Sequence, residues 1–499
     1  MFPDDYHLTR RRLGAGFTAA LAHGLTHRLD VVTQQARRGR MSAPASAGKV
    51  ENQDQKHITV MDTPGALIHP HLFGANNAWC FVPSQDFNSF CSSLRRNAGV
   101  TLLRYPGGFE SENYNWADNT VNPKYRFHPS EPGATPKQTI SAMGEGNVSF
   151  VLRTLDAFRA GTPAAYKHWA GIAAWLVVRY GSAVHDWELG NEWYHFGGAV
   201  KHYAAFVRRY AQLVAHFVPV IRAAAREADH RINLYISFNW AHPADIQVMR
   251  SIIPPAVWAG IDGFNIHAYS GFAPTKRKYY SAPAIDKIAV TIDQLKRLSG
   301  LRRVYVSEWM AALNDNHRYG GIKNAAFMLQ MIGQFAEAGV RCAAYWPSVL
   351  PGRHIPQPGR VTLLACDSGW SPDADGQLMK LLSESYRGHI LPLRVRGEKL
   401  WAIAARSPEG RIALFVAGGP EHRVNISVLI AGRKVRRVLR SRVMWAPASH
   451  LDIGPAQIAA LPAHITSSLA GSRCELQLNP GGRGRGSAWE IACVEIECG

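Results

Sequence analysis

The feature that most constrains this chain is a series of eight short apolar runs, at residues 72–76, 100–104, 148–153, 184–190, 232–238, 261–267, 303–307 and 341–346. Helical patterns lie between them. Alanines and large apolar residues recur at three- and four-residue steps over 164–180 and 203–226, and 281–299 and 323–338 fit helices as well. Short apolar strands alternating with amphipathic helices read as βα units. Eight such units predict an α/β fold, a (β/α)8 TIM barrel, with its working face at the C-terminal ends of the strands. A barrel of this kind takes roughly 250–300 residues, so a chain of 499 residues holds a second unit.

From about residue 387 the texture changes to alternating segments at 400–404, 412–416, 424–428 and 489–496, separated by turn residues. Only 455–461 hints at a helix. The expectation is a C-terminal antiparallel β-sandwich over 387–499, behind a barrel over 70–386. The run at 58–61 comes too early for the barrel, and residues 56–69 are expected to supply a strand to that sandwich. In the first 55 residues, Thr9-Arg10-Arg11-Arg12-Leu13 precedes the mildly apolar stretch Gly14 to Ala22, with small-residue cleavage sites near Ala43 to Ala47. This resembles a twin-arginine export signal followed by a disordered linker, which would place the protein in the periplasm or outside the cell. A plain basic tail on a cytoplasmic protein is the alternative. No run of 18 apolar residues exists, so no membrane span is expected.

Hydrophobic residues at 46% supply a sizeable core, and the formal charge is +19, most of it outside residues 51–386. Such a field suits an anionic polymer, or is no more than the arginine-rich usage of a GC-rich genome. The basic run 433–442 has no interleaved aromatics to stack bases, so nucleic acid is not the expected partner. The seven cysteines show no CxxC and no ligand spacing with histidine, which argues against a zinc site.

Two of the apolar runs lead into a carboxylate beside aromatic rings. Trp187-Glu188-Leu189-Gly190-Asn191-Glu192-Trp193-Tyr194 closes the fourth, and Arg303-Val304-Tyr305-Val306-Ser307-Glu308-Trp309 closes the seventh. Strand-end glutamates are commonplace singly. As a pair at the ends of separate barrel strands they meet the requirement of retaining glycoside hydrolysis, an acid/base and a nucleophile roughly 5 Å apart. Glu192 and Glu308 are therefore the candidate catalytic residues. The acid must begin protonated while the nucleophile is ionised, so their surroundings must differ. Arg104, in Leu102-Leu103-Arg104-Tyr105-Pro106-Gly107-Gly108, is expected to hold Glu308 ionised. Asn191 either touches the sugar hydroxyl next to the reacting carbon or caps the following helix. His267 and Tyr269 point the same way if their strand persists, towards a carboxylate or a sugar hydroxyl. Among the tryptophans, Trp346 and Trp116 are the expected sugar platforms, ahead of Trp79, Trp193 and Trp309. Glu188 takes a supporting part, and Glu110, Glu112 and Asp118 are sugar contacts or plain loop charges.

With Asn191-Glu192 after the fourth run, Glu308 at the seventh, Arg104-Tyr105-Pro106-Gly107-Gly108 after the second and Trp346 ending the eighth, the chain resembles clan A of the retaining glycoside hydrolases. With Tyr114-Asn115-Trp116 added, the α-L-arabinofuranosidase branch is most similar, and heparanase-like β-glucuronidases share parts of the pattern. The resemblance implies a barrel-plus-sandwich layout, with an early strand crossing to the C-terminal unit. It implies Glu192 as acid/base and Glu308 as nucleophile, acting on a poly- or oligosaccharide, with an anionic one favoured by the charge. No metal or organic cofactor is expected. The rival reading is a catalytically inactive carbohydrate-binding or exopolysaccharide-assembly protein on the same fold. Retention of both glutamates with Arg104 argues against it.

Overall fold

The computed structural model describes residues 56–499, apart from 78, 123–131, 197–201, 271–274, 278–279, 312–320, 351–361, 367–368, 397–399, 419–423, 447–454, 462, 469–470 and 479–489. The stretch read as an export signal and linker, 1–55, lies outside the described residues. Eight parallel strands close a barrel in chain order: β1 (Gly74–Asn76), β2 (Leu102–Tyr105), β3 (Val148–Leu152), β4 (Asp186–Leu189), β5 (Asn233–Ser237), β6 (Gly263–Ser270), β7 (Arg303–Ala311) and β8 (Cys342–Tyr345), with β8 pairing back onto β1. Nearly every residue of these strands is buried, because the outer faces lie under helices and the inner faces fill the lumen. The covering helices include Pro163–Tyr180, Tyr203–Glu227 and Gly321–Glu337. The first begins on a cap, Thr162 accepting from the Ala165 N–H, with proline in its first turn.

Four boundaries differ from the sequence expectation, each for a local reason. Residues 70–73 form a 3-10 turn, since Pro70 opens it and the His69 ring accepts from the His71 N–H; β1 starts only at Gly74. The ladder between β6 and β7 runs on to Ser270 and Ala311, with a bulge between the pairs Ile266–Val306 and His267–Glu308. Glu308 thus lies inside its strand rather than past the end, and the bulge resets which way it points. The helix expected from 281 is preceded by a strand at Tyr280–Ala282, and the α-helix runs over Ile288–Ser299. Pro283 favours extended backbone in the residue before it. The helix hinted at over 455–461 is instead the strand Gln457–Ala460, paired with Arg442 to Trp445. Seven residues are too few for a stable helix without strong packing, and a ladder satisfies the backbone better.

Beyond the barrel the chain folds into two sheets. The seven-stranded one pairs Leu67–Ile68, Gly388–Leu391, Leu400–Arg406, Ile412–Gly418, Glu490–Cys498, Val435–Trp445 and Gln457–Ala460 in that spatial order, all antiparallel. The five-stranded one holds Lys56–Val60 between Leu393–Arg396 and Val424–Ile430. One face of the larger sheet, with Ile403, Phe415, Met444 and Ile491, joins the barrel's hydrophobic core. Its other face, with Leu414, Val416 and Ile496, packs on Ile58, Ile426 and Val428 of the smaller sheet. Burial on both faces explains why Ile412–Gly418 is apolar throughout. Gly333 on the helix Gly321–Glu337 lets the sheet approach closely, since a Cβ there would lie 2.5 Å from Ile403 Cγ2.

Candidate active site

The lumen is layered. Near its base, Leu102, Tyr235, Tyr305, Cys342 and Ala344 form an apolar plug. Above it Arg104 is fully buried, and its guanidinium makes three contacts: Nε to Glu188 Oε1 at 2.7 Å, Nη1 to Glu308 Oε1 at 2.7 Å, and Nη2 to Asn191 Oδ1 at 2.8 Å. Burial alone would lower the affinity of this guanidinium for its proton, but Glu188 and Glu308 outweigh it and raise it. Burial likewise pushes Glu188 up, opposed by Arg104, His267 and Ser307. The second Glu188 oxygen accepts from Asn265 Nδ2 at 3.0 Å, which also reaches Ser307 Oγ. Arg104 therefore ties β2, β4 and β7 together at the mouth through charge-assisted bonds.

Glu192 reaches the mouth through an unusual turn. β4 ends at Leu189, and Gly190 turns at φ +83°, where a side chain would collide with Thr154. Glu192 itself is left-handed, at φ 47° and ψ 47°, a conformation that costs a non-glycine residue energy and persists only when its surroundings enforce it. Glu112 is the enforcing group. Fully buried, it accepts the backbone N–H groups of Asn191 (2.6 Å), Thr154 (2.6 Å) and Leu155 (2.7 Å) and the Thr154 hydroxyl (3.0 Å). It joins the loops after β2, β3 and β4. This role is invisible in the sequence, where Glu112 is only a loop charge; its partners lie 42 to 79 residues away. Burial pushes its carboxyl above the ordinary carboxylate range, and the backbone donors oppose that.

Because β6 persists to Ser270, His267 and Tyr269 do share a side. His267 Nδ1 lies 2.8 Å from Glu192 Oε1 and 3.4 Å from Glu308 Oε2, and the Tyr269 hydroxyl donates to Glu308 Oε2 at 2.6 Å. One oxygen of Glu192, one of Glu308 and a ring nitrogen of His267 all lie within 4.8 Å of one another. Burial pushes Glu192 up, but the imidazoles of His195 and His267, the His267 hydrogen bond and Arg104 together bring it down to about 2. His267 moves the other way: burial lowers it, and Glu308 and Glu192 raise it above its ordinary 6.5. The field around Glu192 thus favours its ionised form, while the two carboxylates favour a protonated His267, one hydrogen bond away.

The other sequence candidates separate. Asn191 turns its side chain to Arg104 rather than capping a helix. Trp346 is half-buried at the end of β8, its ring edge 2.7 Å from where a Cβ on Gly108 would sit, and it tilts against Phe81. Gly108 (φ +56°) is thus required both by its own turn and by the indole beside it. Trp116 is placed elsewhere. It packs edge-on against Tyr114 and Tyr105 and tilted on Phe150, only 8% exposed, under the loop after β2. Trp79, Trp193 and Trp309 are core. Asp118 accepts from its neighbour Thr120 in the loop. The signal that would have separated Trp116 from Trp346 is position: Trp346 directly follows a barrel strand, whereas Trp116 follows a two-residue strand outside the barrel.

Glu192, His267 and Glu308 have the donor types of a metal site, and so does one other cluster among the described residues, His71, Asp186 and Cys342 at the opposite end of the lumen. At the mouth the three groups already bond to one another, to Arg104 and to Tyr269.

No protein-family model matches this chain, and no curated protein sequence does. Solved structures do match in fold. A family 51 α-L-arabinofuranosidase, AbfB from Bifidobacterium longum, superposes with a TM-score of 0.59 at 14% identity, covering 88% of this chain and 99% of that one. CelM2, a bifunctional glucanase-xylanase from a metagenome library, gives 0.55 at 12% identity over 89% and 99%. Cel44A, a family 44 endoglucanase from Clostridium thermocellum, gives 0.55 at 10% identity over 89% and 100%. The shared architecture is that of glycoside hydrolases, at identities that speak for the fold alone.

Proposed function

We propose that this protein is a retaining glycoside hydrolase acting on a poly- or oligosaccharide. The observation that carries the reading is the spacing of the two carboxylates: oxygens of Glu192 and Glu308 lie within 4.8 Å, near the ~5 Å of double displacement and short of the ~6.5–9.5 Å that leaves room for an inverting water. Glu308, with one oxygen held by Arg104 and the other by Tyr269, attacks the anomeric carbon and forms the glycosyl-enzyme. Glu192 protonates the departing oxygen with the proton delivered through the His267 contact, then activates water for the second step. Asn191, fixed by Arg104, reaches the hydroxyl beside the reacting carbon, and Trp346 offers its indole face to a sugar ring.

An arabinofuranoside or uronic-acid-containing substrate goes with the Arg104-Tyr105-Pro106-Gly107-Gly108 pattern and with the positive charge. Residues 70–386 serve as the catalytic unit, and 387–499 with the strands of 56–69 as an accessory one. The segment 1–55 exports the chain to where polysaccharide lies.

The test is a panel of nitrophenyl arabinofuranosides, xylosides, glucosides and glucuronides beside neutral and acidic polysaccharides. On the best substrate the first-formed sugar keeps its anomeric configuration, read by NMR. Glu308→Gly abolishes hydrolysis, and azide restores turnover to a glycosyl azide. Parental rates in Glu308→Gly would remove the nucleophile assignment. Tight polysaccharide binding without turnover of any substrate would favour the inactive carbohydrate-binding alternative.

A further inference from the structure

At the floor of the barrel the chain brings together an imidazole, a carboxylate and a thiol that take no part in the proposed reaction. His71 lies on the 3-10 turn before β1, Asp186 opens β4, and Cys342 opens β8. His71 Nδ1 is 4.0 Å from Asp186 Oδ2, Cys342 Sγ is 3.9 Å from the same oxygen, and the three ligating atoms fit within 4.8 Å of one another. Asp186 and Cys342 are buried at 1% and 0% exposure, while the His71 side chain keeps 16% and marks a way in.

The surroundings orient the carboxylate. Asp186 Oδ1 is taken by Asn233 Nδ2 at 2.8 Å and by the Tyr235 hydroxyl at 3.0 Å, so Oδ2 turns towards the other two. His71 Nδ1 is buried with no hydrogen-bond partner, and it faces Asp186 Oδ2 across 4.0 Å, beyond hydrogen-bond reach. Cys342 Sγ donates to the same oxygen at 3.9 Å. An unpartnered ring nitrogen, a carboxylate oxygen and a sulfur converging on one buried point are the ligand types of a borderline-soft cation.

We infer that the floor of the barrel is a divalent transition-metal site of zinc type, with His71 Nδ1, Asp186 Oδ2 and Cys342 Sγ as three ligands and water as the fourth. The nitrogen, oxygen and sulfur set suits zinc and excludes magnesium or calcium, which prefer oxygen alone. Tetrahedral bonds of about 2.0–2.3 Å place ligand atoms about 3.3–3.6 Å apart, so the pairs at 4.0 and 3.9 Å must close by about 0.4–0.7 Å, and the His71–Cys342 pair, within 4.8 Å, by up to about 1.2 Å. Binding expels the Cys342 proton to solvent, and carboxylate and thiolate then balance the ion's charge. Arg341 Nε lies 3.9 Å from Asp186 Oδ1, the oxygen not offered to the ion. Such an ion would pin the turn before β1 to the starts of β4 and β8.

The full-length protein, stripped of metal and titrated with cobalt(II), tests this apart from any catalytic metal binding, because the cluster at the mouth contains no sulfur. One equivalent should raise a thiolate-to-cobalt charge-transfer band with tetrahedral ligand-field absorption, displaced by zinc. Cys342→Ser should lose the band, His71→Ala should weaken cobalt binding at least about tenfold, and zinc should raise the Tm of the parent but of neither variant. Absence of the band in the parent, or its persistence in Cys342→Ser, overturns the site. Should Cys342→Ser fail to fold, His71→Ala on its partly exposed turn decides: unchanged cobalt affinity in that variant overturns the assignment equally.

Discussion

The two ends of the barrel lumen hold similar inventories and arrange them oppositely. At the mouth two glutamates and a histidine are cross-linked by their own hydrogen bonds and by Arg104, and the Glu192 side chain stays 23% exposed. At the floor Asn233 and Tyr235 hold one oxygen of the aspartate, the cysteine donates weakly to the other at 3.9 Å, and the histidine Nδ1 has no hydrogen-bond partner. The difference teaches what each end can do. A charge network with an open edge suits proton transfer, whereas unlike ligand atoms around an unpartnered ring nitrogen suit an ion.

Changes at the mouth should therefore act on rate, and changes at the floor on stability. The largest effect belongs to Glu308→Ala, which should cut kcat/KM by roughly 10⁴–10⁶-fold on the best glycoside; a loss of less than about tenfold would move the nucleophile elsewhere. Next, Glu192→Gln should cost on the order of 10²–10⁴-fold on substrates with poor leaving groups. It should cost much less on nitrophenyl glycosides, which leave without a proton, and equal losses on both would contradict an acid role. Arg104→Leu strands Glu188 and Glu308 in the lumen without their counter-charge, and denaturant unfolding should register a loss of about 3–5 kcal/mol.

A smaller effect should appear in the pH dependence of stability. Glu192 is depressed from 4.5 to about 2, so its contribution is present above pH 4.5 and fades as pH falls towards 2. His267 is raised above 6.5, so its contribution is full below that pH and is lost as pH rises through the raised value. The pair thus supports the fold most between about pH 4.5 and 6.5. His267→Gln should flatten the alkaline decline in an unfolding series, and an unchanged decline would mean that another group governs it. The smallest effect is at the floor. Tyr235→Phe removes one donor from Asp186 and should cost about 1–2 kcal/mol of stability with kcat/KM unchanged; a loss of rate there would erase the contrast between the two ends.

Strand-end residues were legible because a parallel barrel delivers them to one face whatever the loops do. Glu192, Glu308 and Arg104 could be picked from their places after apolar runs, and His267 and Tyr269 from a spacing of two along one strand. Trp116 could not be separated from Trp346 by residue type, since an indole suits a core as well as a sugar, and only the packing of Tyr105, Tyr114 and Phe150 around it decides. Nor does the sequence show that two imidazoles stand beside Glu192.

The sequence by itself determined the repeat of apolar runs and helices, and with it the closed barrel, the sheets that follow and the end of the barrel where two glutamates meet, because periodicity and strand-end position are local properties. Only the tertiary structure decided what depends on contacts across long chain separations. It made Glu112 a buried anchor for three loops, turned Glu192 left-handed, and set His71, Asp186 and Cys342 around one point. No spacing rule brings residues 71, 186 and 342 together; closing the barrel does, by placing the starts of its first, fourth and eighth strands around one lumen.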